Sequence, residues 1–245
     1  MKRSLVLSFA LLFAPLATAQ SGPVVIDAPI SQIYIPFGYD DNDNVSVVMH
    51  GKFSSTCYTI GQTEAKVDHD EKLVKVRATA LYYPDIYCLQ SITPFLQEVK
   101  VGVLKAGDYK VIYEVTETVT RDFQIQERTT EAPDDHLYAP VENAYIDVNY
   151  ATGKQVLKLQ GHFPHMLIGC MVMKEIQTYR KPDDVLVVLP IAEIVDGPEC
   201  DAQAENRSFE VNHGLAAPFH GEGLLHVRTL HGTSMNRFID VPAYY

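Results

Sequence analysis

Apolar and polar positions alternate with a period of two over most of this chain. Val99-Lys100-Val101-Gly102-Val103 alternates cleanly, and Tyr109-Lys110-Val111-Ile112-Tyr113-Glu114-Val115 nearly so. Leu73 to Ala78 is rich in β-formers. Later in the chain, 156–159, 170–173, 185–189, 209–211, 224–227 and 238–241 read as short strands. A two-residue period puts every second side chain on one face, which suits a half-buried sheet. Met171 to Thr178 has a spacing a helix would tolerate, but its Val and Ile content favours a strand. Runs of four to eight residues broken by Gly, Pro, Asn and Asp predict an all-β sandwich or barrel.

The pattern occurs twice. APISQIYI at 28–35 returns as APVENAYI at 139–146, and VSVVMHGKF at 45–53 returns as QVLKLQGHF at 155–163. Cys57 and Cys88 then face Cys170 and Cys200. Phe95 faces Phe209, Val99 faces Val211, Gly102 faces Gly214, and Phe123 faces Phe238. The matches keep one order at a nearly constant offset of about 110–115 positions. A period that long predicts two duplicated domains rather than a short-unit solenoid. The polar, Pro-containing stretch ERTTEAPDD at 127–135 marks the boundary, giving domains at 20–130 and 131–245. A connection this short predicts two domains that touch and bend little.

The first residues, MKRSLVLSFALLFAPLATAQ, have a basic start, a short apolar run and a small-x-small end at Ala17-Thr18-Ala19. That is the form of a cleaved signal peptide over 1–19, too short in its apolar part to span a bilayer. It predicts a periplasmic or secreted protein with no membrane insertion after cleavage. The formal charge of the whole chain is −11. Without a basic cluster, such a chain repels phosphate backbones, which argues against a nucleic-acid partner. Four cysteines in an exported chain imply disulfides with three possible pairings. The internal repeat selects Cys57–Cys88 and Cys170–Cys200, one per domain. Each closes a loop of about 30 residues, worth roughly 3–4 kcal/mol in the chain-entropy model.

Leu104-Lys105-Ala106-Gly107-Asp108-Tyr109-Lys110-Val111 is an L-x-x-G-x-Y-x-V pattern. It resembles the late hairpin of secreted bacterial immunoglobulin-like β-sandwich domains. The resemblance implies that Gly107 turns the chain and that Tyr109 anchors the corner by packing and a hydroxyl hydrogen bond. The second domain departs from it, with Gly221-Glu222-Gly223-Leu224 and no Tyr. The chain also has no Trp, whereas antibody-type domains pack one against their disulfide. The likeness is to immunoglobulin-like sandwiches in the loose sense.

No G-x-S-x-G, HExxH, P-loop or G-x-G-x-x-G occurs, and no CxxC. The reading is a non-catalytic exported protein of the cell envelope that binds or gives structural support. No cofactor is expected, and the partner is a protein or a glycan. Tyr82-Tyr83-Pro84-Asp85-Ile86-Tyr87 beside Cys88 is the best surface for it, because exposed tyrosines offer large contact area on a stretch stiffened by a disulfide. One alternative is a Cu or Zn protein using His162 and His165, which flank Pro164 in the densest set of the nine histidines. Another is a hydrolase with a noncontiguous Ser, His and Asp site. Asp40-Asp41-Asn42-Asp43-Asn44 is acidic enough for Ca²⁺ but lacks the Gly and distal Glu of an EF-hand loop, and reads as a hydrated turn.

Overall fold

The computed structural model describes residues 22–149, 151–181, 184–198, 200 and 206–242. The expected signal peptide at 1–19 lies outside these residues. The fold is all-β, with four sheets arranged as two sandwich-like halves. The first half contains β1 (Val24–Asp27), β2 (Ile30–Tyr34), β3 (Val45–Phe53), β4 (Tyr58–Asp68), β5 (Leu73–Tyr82), β6 (Thr93–Gly102), β7 (Gly107–Tyr113) and β8 (Thr120–Ile125). The second contains β9 (Val141–Asn149), β10 (Lys154–His162), β11 (Cys170–Lys181), β12 (Val185–Val195), β13 (Ser208–Gly214), β14 (Gly221–Thr229) and β15 (Thr233–Val241). Met171 to Thr178 lies within β11, as a strand.

The same pairings recur in both halves. One sheet is β2-β3-β6 in the first and β9-β10-β13 in the second. The other runs β4-β5-β7-β8 and β11-β12-β14-β15, with β1 also on β5. In each of these larger sheets one pair is parallel, β5 with β7 and β12 with β14. An all-antiparallel immunoglobulin sandwich lacks such a pair.

The repeated Ala-Pro explains itself in three dimensions. At Ala28-Pro29 the chain leaves the larger sheet, where β1 pairs with β5, and joins the smaller one as β2. At Ala139-Pro140 it does the same, after Tyr138 bridges Ile191 of β12. Proline cannot donate to a ladder, so it sits at the crossing. Directly opposite lies a glycine in each case. A Cβ on Gly51 would collide with the Pro29 carbonyl oxygen and the Phe95 ring, and one on Gly161 with the Pro140 carbonyl oxygen and the Phe209 ring. A bulge follows in both ladders, at Ile30/Gln32 and at Gln160/Gly161.

The hydroxyl tie expected of Tyr109 is made by another residue. Tyr109 is buried and stacks on Phe123. It is Tyr113, four residues on along the same face, that donates to Ala28 O at 2.6 Å and Ala78 O at 3.3 Å. Burial raises its phenol to about 12, so it remains a donor. In the second half Thr229 Oγ1 holds the matching carbonyl, Ala139 O, at 3.1 Å. The tyrosine missing at Gly223 is also replaced: the Phe219 ring occupies the space a Cβ there would need. Gln155 pins Phe219 through both its amide atoms, at 2.7 Å each. We expect Tyr113→Phe to cost about 1–2 kcal/mol, seen as a lower urea midpoint at unchanged slope, because it removes the donor from a buried carbonyl.

Both expected disulfides are present, Cys57–Cys88 and Cys170–Cys200, with Cα atoms 5.3 and 5.4 Å apart. Three of the expected correspondences shift, Gly102 with Gly214 among them, since Ser46 pairs with Lys100 and Val156 with Gly214. Gly51 pairs with Phe95 and Gly161 with Phe209, so Val99 corresponds to His213 and Gln97 to Val211. Tyr109 pairs with Phe123 and Gly223 with Ile239, so Phe123 corresponds to Ile239. A one-residue slip changes the face of a strand, and Phe238 accordingly leaves the core of its own half.

Phe238 points into the junction between the halves. The outer face of β2-β3-β6 packs against the outer face of β12-β14-β15. Tyr34, Val48, Val185, Val187 and Leu224 form its apolar centre. His50 stacks on Phe238 at 4.2 Å between ring centroids. Lys52 meets Glu222 at 2.8 Å, and Arg228 meets Asp43 through two contacts of 2.9 and 3.2 Å. These two pairs fix the direction: the Cys57 end of β3 lies at the start of β14, and the Asp43 end lies at its finish. The two disulfides therefore sit at opposite ends of the molecule.

Candidate functional site

At the end of the first half, β5 runs into the loop 83–92 that leads to β6. Besides the disulfide, three hydrogen bonds brace it: Tyr83 N donates to Cys57 O, Thr56 N to Leu89 O, and Leu89 N to Thr56 Oγ1. Its tip leaves Ile86, Tyr87, Leu89 and Ile92 exposed, Tyr87 completely. The braces account for the backbone polar groups that they engage, and the apolar side chains are left facing solvent. Isolated exposed apolar residues need no explanation, whereas a cluster on a stiffened loop makes a candidate contact surface. Of the three tyrosines singled out in the sequence, only Tyr87 is presented there. Tyr82 is half-buried and stacks on Tyr58 at 4.9 Å, in a row that continues through Phe53 to Phe95. Tyr83 is half-buried too. The row supports the loop from beneath.

The second half has its own exposed tip at Leu167 and Ile168, beside Cys170. His165 lies next to it, near Arg207 and Cys200. His162 is on the outer face of β10, where its Nδ1 meets Glu142 Oε2 at 2.9 Å. Glu142 is the bulged residue of β9. Among the described residues no group of three or more His, Cys, Asp or Glu side chains is placed to hold a metal ion. His162 and Glu142 stand as an exposed cross-strand pair.

Among the described residues the densest polar chemistry is in the junction, where no local sequence motif marks it. A cleft of about 440 Å³ opens between the halves and the connecting segment, over Tyr39, Asp43, Ser46, His226 and Arg228. The acidic turn Asp40–Asn44 forms its first wall. Asp40 Oδ1 accepts from Asn42 N and Asp43 Oδ2 from Asp40 N, both at 3.1 Å. Asn42 donates to the carbonyls of Thr130 and Ala132, and Asp41 accepts from Arg128 N. The turn thus fastens the connecting segment, and through Asp43 it fastens the second half. Burial disfavours the charge of Arg228, but Asp43 outweighs this and its guanidinium is held above the ordinary value. It also donates to Gly38 O and lies over the Tyr39 ring. Burial raises the phenols of Tyr39 and Tyr138 beside it.

His226 sits on the cleft floor. Asn236 Nδ2 donates to Glu98 Oε2 at 2.8 Å, which turns Asn236 Oδ1 toward His226 Nδ1 at 2.8 Å. His226 therefore carries its proton on Nδ1 and donates to Asn236. Burial lowers its pKa to about 4, the hydrogen bond to Asn236 opposing. Ser, His and Asp all occur in this cleft, each committed elsewhere: Ser46 to Tyr39 at 3.1 Å, His226 to Asn236, Asp43 to Arg228. They do not form a relay with one another. The signal that could have located the junction is the loss of alternation. VSVVM at 45–49, VLVVL at 185–189 and GLLHV at 223–227 are apolar almost throughout, as strands covered on both faces are.

A family model described as the ORF11 beta-sandwich domain matches residues 47–125. The match runs from within β3 to the end of β8, and over that span the chain is similar to a β-sandwich domain. No curated protein matches the chain. No solved structure matches it either. No helix among the described residues is long and apolar enough to cross a membrane.

Proposed function

We propose that this is an exported, non-catalytic binding protein of the cell envelope, made of two duplicated immunoglobulin-like sandwiches in the loose sense. It binds a protein or glycan partner through the braced loop 83–92. The single observation that carries this reading is the exposed Ile86, Tyr87, Leu89 and Ile92 on a loop held by a disulfide and three hydrogen bonds. A rigid loop gives up little conformational entropy on binding. Export is supported by the form of residues 1–19 and by paired cysteines, which persist in oxidising compartments. Duplication is supported by the shared Ala-Pro crossings, the facing glycines and the common strand pairings. Because the disulfide loops lie at opposite ends, the molecule is suited to hold one contact at each.

The test is affinity capture from envelope extract with mature protein as bait, beside a Tyr87→Ser/Leu89→Ser variant. Both side chains are exposed, so the variant should keep its melting temperature within about 2 °C, the shift of a surface change of ~0.5 kcal/mol or less. It should lose the partner held by wild type. Equal retention by both baits would remove the loop from the account.

A further inference from the structure

The junction between the halves buries two histidines that face it from opposite sides. His50 on β3 and His226 on β14 are each 1% exposed. Their neighbours Met49, Leu225 and Val227 point into the two sandwich cores, whereas Val48 and Leu224 join them in the junction. Both imidazoles would therefore reach water if the halves came apart with each sandwich intact. Neither has an anion in contact. His50 lies between Tyr34 and Phe238, and neither ring nitrogen has a hydrogen-bond partner. The charged groups facing it are Glu222 on β14 and Lys52 on its own strand, and these two pair with each other. His226 donates to Asn236, which takes up Glu98; Arg228 stands next to it and is matched by Asp43. Tyr39, Lys100, Asp134 and His231 line the same cleft.

We propose that the junction is an acid-sensitive latch: protonation of His50 and His226 releases the two halves from each other while each sandwich stays folded. Neither imidazole is in contact with a carboxylate, and burying an unpaired charge is strongly unfavourable. Burial lowers both pKa values, that of His226 to about 4. The sign follows from linkage. Above about pH 6.5, the ordinary histidine value, both forms are neutral and docking carries no proton cost. As pH falls below 6.5 the separated form takes up protons first, so docking weakens until the docked pKa is reached. At pH 5.0, His226 alone weakens docking by about 30-fold on these values, and His50 adds to it. Carboxylates, with ordinary values near 4, stay largely charged at that pH.

The experiment uses the mature, disulfide-bonded chain. Its radius of gyration is followed by small-angle scattering from pH 7.5 to 5.0, with far-UV circular dichroism alongside. The expected result is a reversible rise in radius with an unchanged dichroism spectrum. His50→Phe/His226→Gln should stay compact at pH 5.0, since Phe keeps the stack on Phe238 and Gln keeps a donor for Asn236. His50→Phe alone removes no hydrogen bond and should move the rise to lower pH. A wild-type radius that is constant over this range would overturn the proposal. So would a rise at the same pH in His50→Phe.

Discussion

Arg228→Ala is expected to destabilise the protein by about 3–5 kcal/mol, the cost of leaving one partner of a buried ion pair uncompensated. The Arg228 and Asp43 side chains are 11% and 9% exposed. Without the guanidinium, Asp43 retains the Asp40 N–H, and its charge is otherwise stranded between the halves. Arg228→Lys should recover only part of the loss. A single ammonium cannot reach both carboxylate oxygens and Gly38 O in the fork geometry that Arg228 uses. Asp43→Leu/Arg228→Met should fall much closer to wild type, because removing both charges also removes the desolvation. Urea unfolding at pH 7.5 measures all three. A loss below about 1 kcal/mol for Arg228→Ala, the range of exposed pairs, would mean that the junction is wet.

Gly51→Ala and Gly161→Ala should each cost about 3 kcal/mol, at the upper end for overpacking, and should do so alike. One methyl group meets a backbone carbonyl and an aromatic ring at both sites. The carbonyl belongs to the proline at the sheet crossing, so it cannot move without shifting the whole of β2 or β9. Gly214→Ala is the control: nothing lies within 4 Å of its Cβ position, and the change should stay within about 0.5 kcal/mol, as surface substitutions do. Thermal or urea unfolding of the three variants checks this. A tolerated Gly161→Ala beside a damaging Gly51→Ala would break the equivalence of the two crossings.

The likeness of the halves stops at the faces they present to each other. Val48 and His50 line the junction, whereas their counterparts on β10 are Lys158 and Gln160. Val187, Leu189 and Leu224 line it from the other side, and their counterparts in the first half are Lys75, Arg77 and Lys110. Packing one kind of face onto another is a head-to-tail contact that can repeat indefinitely. Charged residues on the two free outer faces end the stack at two units, as polar caps do in repeat proteins.

Those same residues show what was legible in the sequence. Strands with one wet face, such as β7, alternate and were readable residue by residue. So were the disulfides and the repeated Ala-Pro, because each recurs at a nearly constant offset, whereas the change of sheet at Ala-Pro was not. The junction was not, since strands buried on both faces lose the alternation that assigns a side chain to a face. By sequence alone Phe238 aligns with Phe123 for that reason, although Ile239 is the true counterpart. Asp43 read as part of a hydrated turn because its partner, Arg228, is 185 residues away. Phe219 carries no local signal because it fills the space of Tyr109 from a different place in the chain. The histidines drew attention to His162 and His165 by local density, while the two with the most unusual surroundings, His50 and His226, stand alone in sequence.

The central claim is that the halves form one body across this junction, with their disulfide loops at opposite ends. Zero-length carbodiimide cross-linking tests it most directly. At pH 7.5 and low ionic strength, digestion with mass spectrometry should recover Lys52 joined to Glu222, which lie 2.8 Å apart. Lys158 joined to Asp147, 3.3 Å apart within one half, serves as the internal standard. Both cross-links in comparable yield are the predicted result. The Lys158–Asp147 link without Lys52–Glu222 would contradict the claim.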